Sequence, residues 1–220
     1  SHVLHPSTLQ NAIDAWLAAR DMKEVPKHLL GYSLGGRLAL TLFEQQPETW
    51  SGVVLLASDG FKKNAIYRFA VDTALGRAMW SLVDRHAETA RSAIRGLRRL
   101  RIIPAHLENF ALHHTKDHAM RALVSNTWKT HRLFWPSKQH TATAWRALPE
   151  RGVHVHAVFG TRDAIIPWAW SKPWHGLGNH HVHFARVDSG HVMRHPKTVE
   201  ALSNLIFRPS DEHVPPQPLA

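Results

Sequence analysis

The segment Gly31-Tyr32-Ser33-Leu34-Gly35-Gly36 constrains this chain more than any other, because of what lies on either side of it. His28-Leu29-Leu30 before it is a short extended run, and Leu34 to Gln45 after it has the apolar spacing of a helix. The chain must therefore turn sharply from strand to helix, with a serine at the turn. Such a turn holds its central residue in a strained backbone conformation, and small residues beside it let strand and helix pass without a Cβ clash. Ser33 would project above the sheet edge, and the N–H of Leu34 would face outward at the helix start, where it can meet a developing oxyanion.

The rest of the chain alternates in a way that fits a layered α/β fold. Ser7 to Arg20 is expected to be an amphipathic helix, with Ser7 as N-cap, Gln10 completing a capping box, and Leu9, Ile13, Trp16 and Leu17 on one face. After the polar link Asp21 to Lys27 and the turn at Ser33, Pro47 closes the second helix. Val53 to Ala57 is a continuous apolar run, expected to be a strand buried on both faces of a parallel sheet. Strand patterns return only at Val153 to Phe159 and His181 to Val187, followed by a helix from Lys197 to Phe207. The expected organisation is an α/β core over 1–60 and 146–208 with a parallel sheet of about four strands. A helical insertion occupies 61–145, and a loose Pro-rich tail 209–220.

A serine hydroxyl needs a base, and the base an orienting carboxylate, to act as a nucleophile at neutral pH. Asp163 follows the strand ending at Phe159, in Gly160-Thr161-Arg162-Asp163-Ala164-Ile165-Ile166-Pro167, and His191 follows the next strand in Ser189-Gly190-His191. In an open parallel sheet the carboxyl ends of strands form the ligand edge, so Ser33, Asp163 and His191 can converge there. Each has a plainer reading as well: a Gly-rich turn, an N-cap ahead of Ala164, and a surface-loop histidine among 19 histidines. Asp59, after the strand ending at Ala57, is a rival for the acid.

These three ordered motifs resemble those of the α/β-hydrolase superfamily, in its esterase-like and C–C hydrolase-like members, and the resemblance runs from the first helix to the last. It implies a serine hydrolase in which Ser33 attacks an acyl carbonyl, His191 moves the proton, Asp163 orients the imidazole and Leu34 N–H binds the oxyanion. A small-molecule acyl substrate is implied, a carboxylic ester ahead of a thioester, amide, lactone or C–C bond, and no cofactor. The elbow Ser, rather than Asp, argues against dehalogenase chemistry. The insertion at 61–145 matches the position of the family's cap. Its aromatics Trp80, Trp128, Phe134 and Trp135, with Tyr32, are candidates either to line an acyl or alcohol pocket or simply to fill the core.

Family members carry several strands before the elbow, including one whose loop supplies a second oxyanion donor. Only 32 residues precede Ser33 here. The chain thus reads as N-terminally truncated, the activity as that of its parent, and turnover by the isolated chain as weaker by about 100- to 1000-fold for want of that donor. His175-Gly176-Leu177-Gly178 resembles an oxyanion loop but falls between the last two strands, out of place for that role.

Composition narrows the remaining possibilities. With no cysteine there is no disulfide framework, thiolate nucleophile or Cys-ligated metal. His154 with His156, and His181 with His183, share strand faces, but no further ligand sits at a diagnostic spacing, so no metal site is expected. His113-His114 is assigned to a solvated face. No apolar run reaches bilayer length and no signal peptide opens the chain, so a soluble, cytoplasmic protein is expected. The basic excess is local: 17 Lys and Arg against 6 Asp and Glu between Phe61 and Arg151. Arg91, Arg95, Arg98, Arg99 and Arg101 are ordinarily a solvated helix surface, and otherwise a site for an anionic substrate or acidic lipid. Nucleic acid is not expected, since no binding motif accompanies the charge. A non-catalytic small-molecule binder on the same fold is the alternative from a different class.

Overall fold

Four apolar runs pair in chain order into one parallel sheet. In the computed structural model the described residues are 3–63, 65–103, 105–115 and 117–207; the side chains of Trp80, His113 and His114, and the tail 209–220, fall outside them. The strands are β1 (His28–Tyr32), β2 (Gly52–Leu56), β3 (His154–Gly160) and β4 (Val182–Val187), in the order β1-β2-β3-β4. Helix α1 (Pro6–Ala18) precedes β1, and α2 (Leu34–Gln45) joins β1 to β2. Between β2 and β3 come α3 (Ala65–Asp72), α4 (Ala74–Arg85), α5 (Ala87–Arg99), α6 (Ala105–His114), α7 (His118–Thr130), α8 (Lys138–Arg146) and the short α9 (Leu148–Arg151). The one-turn α10 (Lys172–His175) lies between β3 and β4, and α11 (Pro196–Phe207) ends the described fold.

Register decides which face each strand residue serves. Leu29, Val53, Val155 and Val182 align across the sheet, as do Gly31, Leu55, Ala157 and Phe184. This face carries the main core, closed by Leu40 and Phe43 of α2, Phe134, Trp145 of α8, Leu148 and Trp174. The opposite face has a smaller cluster in which Val158 and Val187 meet Met193 and Leu202 of α11. That second cover does not reach the β1 end, where Leu30 is 69% exposed. Strand β2 is consequently buried on one face and half-buried at Val54 and Leu56 on the other, rather than buried on both as its apolar run predicts.

One other expectation needs correction. Helix α1 begins at Pro6, with His5 at the N-cap position and no side-chain cap, so Ser7 lies inside the first turn. A proline at the first helical position is pre-set for the helix and loses no intrahelical bond, which fixes the start there. Phe61, Phe134, Ala144 and Trp145 are buried in the main core, and residue 145 falls inside α8. Helix α8 is fastened to α2 by Glu44, whose carboxylate accepts from Ser137 N (3.0 and 2.9 Å) and Thr141 Oγ1 (2.7 Å). No helix among the described residues is long and apolar enough to cross a membrane.

Candidate active site

At the carboxyl end of β1 the backbone turns through Ser33, which has φ 52° and ψ −120°. This left-handed conformation is costly for a residue with a Cβ and persists only where the surroundings enforce it. They do so through the main chain: Ser33 N donates to Leu56 O (3.0 Å), and Ser33 O accepts from Gly36 N (3.0 Å) and Asp59 N (2.9 Å). Two glycines make the close approach possible. A Cβ at Gly31 would lie 2.5 Å from Gly35 O and Gly36 Cα, and one at Gly36 would collide with the Ser58 side chain. At Gly35 a Cβ would meet nothing within 4 Å, so the third small residue of the motif is not required for space. The N–H of Leu34 makes no hydrogen bond among the described residues and stands at the start of α2.

The loops after β3 and β4 are held side by side by Thr161 N to Val187 O and Arg162 N to Ser189 O, both 2.9 Å. Asp163 thereby comes beneath His191. Its Oδ1 accepts from Ile165 N (2.8 Å) and Ile166 N (2.9 Å), and its Oδ2 from His191 Nδ1 (2.9 Å). The turn-capping reading of Asp163 and the histidine-orienting reading are thus both present, one on each oxygen. The other imidazole nitrogen, Nε2, lies 3.0 Å from Ser33 Oγ. With Nδ1–H committed to a buried carboxylate, Nε2 is the acceptor for the serine proton. Ser33, His191 and Asp163, on three separate loops, form one continuous hydrogen-bonded line.

Tyr32 supports this line from the side. Its hydroxyl donates to His191 O (3.0 Å) and its ring lies 5.4 Å from the imidazole. Burial, and secondly the charge of Asp163, raise its phenol pKa. The rival acid Asp59 is engaged elsewhere: its Oδ1 accepts from Gly60 N (2.9 Å) and its Oδ2 lies 3.4 Å from Arg37 Nη1. Burial raises the Asp59 pKa, and the Arg37 charge opposes that shift.

Sequence reasoning missed Arg37. Its side chain is fully buried one turn beyond Ser33, with the guanidinium 4.8 Å from the ring centroids of both Tyr67 and Trp135. Trp128 and Trp135 meet on Tyr67, at 5.3 and 5.8 Å. Trp135 therefore packs on the buried cation and Trp128 on Tyr67 beside it, while Phe134 is core. The available signal was a cation at the fourth residue after Ser33, on a helix face otherwise made of Gly36, Leu40 and Thr41. His175, in the out-of-place His-Gly segment, bonds Ser171 Oγ (2.9 Å) and packs on Trp168 and Phe184. His154 and His156 of β3 and His183 of β4 stack with His181, the residue before β4, and His154 Nδ1 lies 3.0 Å from His183 Nε2. No group of three or more His, Asp or Glu among the described residues is arranged to hold a metal ion.

No family model matches the chain. It is 26% identical over 200 residues to the biotin biosynthesis bifunctional protein BioHC of Teredinibacter turnerae, covering 82% of this chain and 33% of that protein. The chain thus spans about a third of the length of that curated relative. Among solved structures, it superposes on the meta-cleavage product hydrolase of Pseudomonas fluorescens with TM-score 0.54 and 12% identity, covering 94% of this chain and 71% of the other. On a thermophilic esterase from Thermogutta terrifontis the TM-score is 0.53 at 16% identity, with 93% and 71% covered. At such identities the likeness is one of fold.

Proposed function

The chain has the α/β-hydrolase fold, and on that premise we propose that it carries the catalytic centre of a serine hydrolase acting on a carboxylic ester or related acyl substrate. The observation that carries this reading is the line Asp163 Oδ2, His191 Nδ1, His191 Nε2, Ser33 Oγ, with steps of 2.9 and 3.0 Å, ending on a serine in a strained turn. Fold alone would not support it, since this architecture hosts many activities.

The chemistry follows from the atoms. Ser33 Oγ attacks the acyl carbon as His191 Nε2 takes its proton. The imidazolium that forms is stabilised by Asp163, whose other oxygen is fixed by two backbone N–H groups. Negative charge on the carbonyl oxygen is met by Leu34 N–H at the start of α2. Collapse expels the alcohol, protonated by His191, and leaves an acyl-Ser33 ester. Water then enters by the same route in reverse, with His191 again as base.

Labelling with a fluorophosphonate and hydrolysis of p-nitrophenyl esters test the assignment together. Modification should fall on Ser33 and depend on His191. Asp163→Asn is expected to lower kcat on the order of 10⁴-fold, because the imidazole loses its tautomer and orientation. Asp59→Asn is expected to act mainly on stability, by weakening the partner of a buried guanidinium, with kcat retained within about tenfold. The opposite ranking would transfer the acid to Asp59, and an unreactive Ser33 would leave a binding protein.

A further inference from the structure

The end of α5 and the turn that follows it present apolar side chains to water where a segment that only covers a core would turn them inward. From Ala87 to Ile103 the chain carries five arginines and one glutamate. Two of the arginines are turned toward α6 and the residue after it: Arg91 Nη1 donates to Thr115 O (3.3 Å) and Arg98 Nε lies 3.7 Å from Glu108. Leu97, Leu100 and Ile102, by contrast, are 39%, 72% and 64% exposed. Arg95 and Arg99, also exposed, occupy the other flank of the same outward arc, and Arg101 lies between Leu100 and Ile102. Helix α4, joined to α5 through His86, repeats the pattern with Leu75, Met79 and Leu82 exposed at helical spacing and Arg85 exposed at its end.

We propose that the outward sides of α4 and α5, with the turn that follows α5, form a docking surface for an anionic phospholipid bilayer. The occupant is selected by the combination of groups. Leucine, isoleucine and methionine side chains gain by entering the boundary between headgroups and acyl chains, while long arginine stems lift their guanidinium groups to the phosphates. Nucleic acid would use the arginines and leave the apolar rows in water. The wider charge agrees with an acidic surface, because the segment from Phe61 to Arg151 holds 17 basic and 6 acidic residues. Docking of this kind lays the helices in the interface and needs no spanning segment. It also does not depend on the hydrolytic reading of Ser33.

Co-sedimentation of the full chain with large unilamellar vesicles tests the proposal. Binding is expected to phosphatidylglycerol–phosphatidylcholine mixtures, to weaken as salt rises through the range where the Debye length falls below about 10 Å, and to be absent on pure phosphatidylcholine. Arg95→Glu with Arg99→Glu should weaken binding at least about tenfold, each arginine being worth about fivefold at such a surface. Leu97→Ser, Leu100→Ser and Ile102→Ser together should weaken it by a similar factor with the circular dichroism spectrum unchanged. Ser33→Ala should bind as the parent does, so loss of ester hydrolysis and loss of docking are read separately. No sedimentation at low salt overturns the proposal, as does equal binding to phosphatidylcholine. Vesicle binding indifferent to the three serine substitutions also overturns it, whether the attraction is then purely ionic or those substitutions instead disperse a dimer of this chain.

Discussion

Ser33, Asp163 and His191 could be located from sequence because each is announced by its own backbone surroundings: a strand end, a small residue, a turn. Their contact partners could not. Asp59 and Asp163 follow strands in the same manner, and only Arg37, 22 residues before one and 126 before the other, shows which carboxylate is engaged elsewhere. The partners of Arg37 were illegible, since Asp59, Tyr67 and Trp135 are not adjacent to it in the chain. The glycines give a sharper test of the turn. Gly31→Ala and Gly36→Ala should each cost about 1–3 kcal/mol, because the new methyl group meets backbone or a buried Ser58 that cannot retreat freely. Gly35→Ala, with open space and a helical position, should be neutral or stabilising by up to about 1 kcal/mol. Urea denaturation of the three variants distinguishes these outcomes.

Among the elements, strands and helices were legible wherever the apolar period was clean, as in β2, β3 and α2, whose bounds Leu34–Gln45 match the sequence reading. The packing of α8 against the core was less legible, because α8 reads as one more polar helix. It joins the core through Trp145 and a single carboxylate, Glu44, and sequence patterns do not register a partner 93 residues away. Glu44→Ala leaves Ser137 N and Thr141 Oγ1 without their acceptor. A loss of about 1–3 kcal/mol is expected, measured by thermal or urea unfolding. Glu44→Gln, which retains an acceptor oxygen, should lose less.

For the whole molecule, the layered class was readable from alternation, while the unequal covering of the two sheet faces was not, since register and helix placement are set only on folding. The less-covered face holds the imidazole stack. Burial first, then the neighbouring His183 and His154, lower the His156 pKa to about 4, and His154 is lowered in the same direction by burial and by His181 and His180. The unfolded chain therefore binds more protons than the folded one between about pH 6.5 and 4, and stability should decline as pH falls through that interval. Urea midpoints at pH 7, 6, 5 and 4 should show the decline, and His156→Gln should flatten it. A last consequence attaches to the cation shared by Asp59, Tyr67 and Trp135. Chimeras that exchange the segment between β2 and β3 for a foreign one would strip Arg37 of its carboxylate as well as its two rings, so such parts are not modular unless the graft brings replacements for all three or the arginine is exchanged with it.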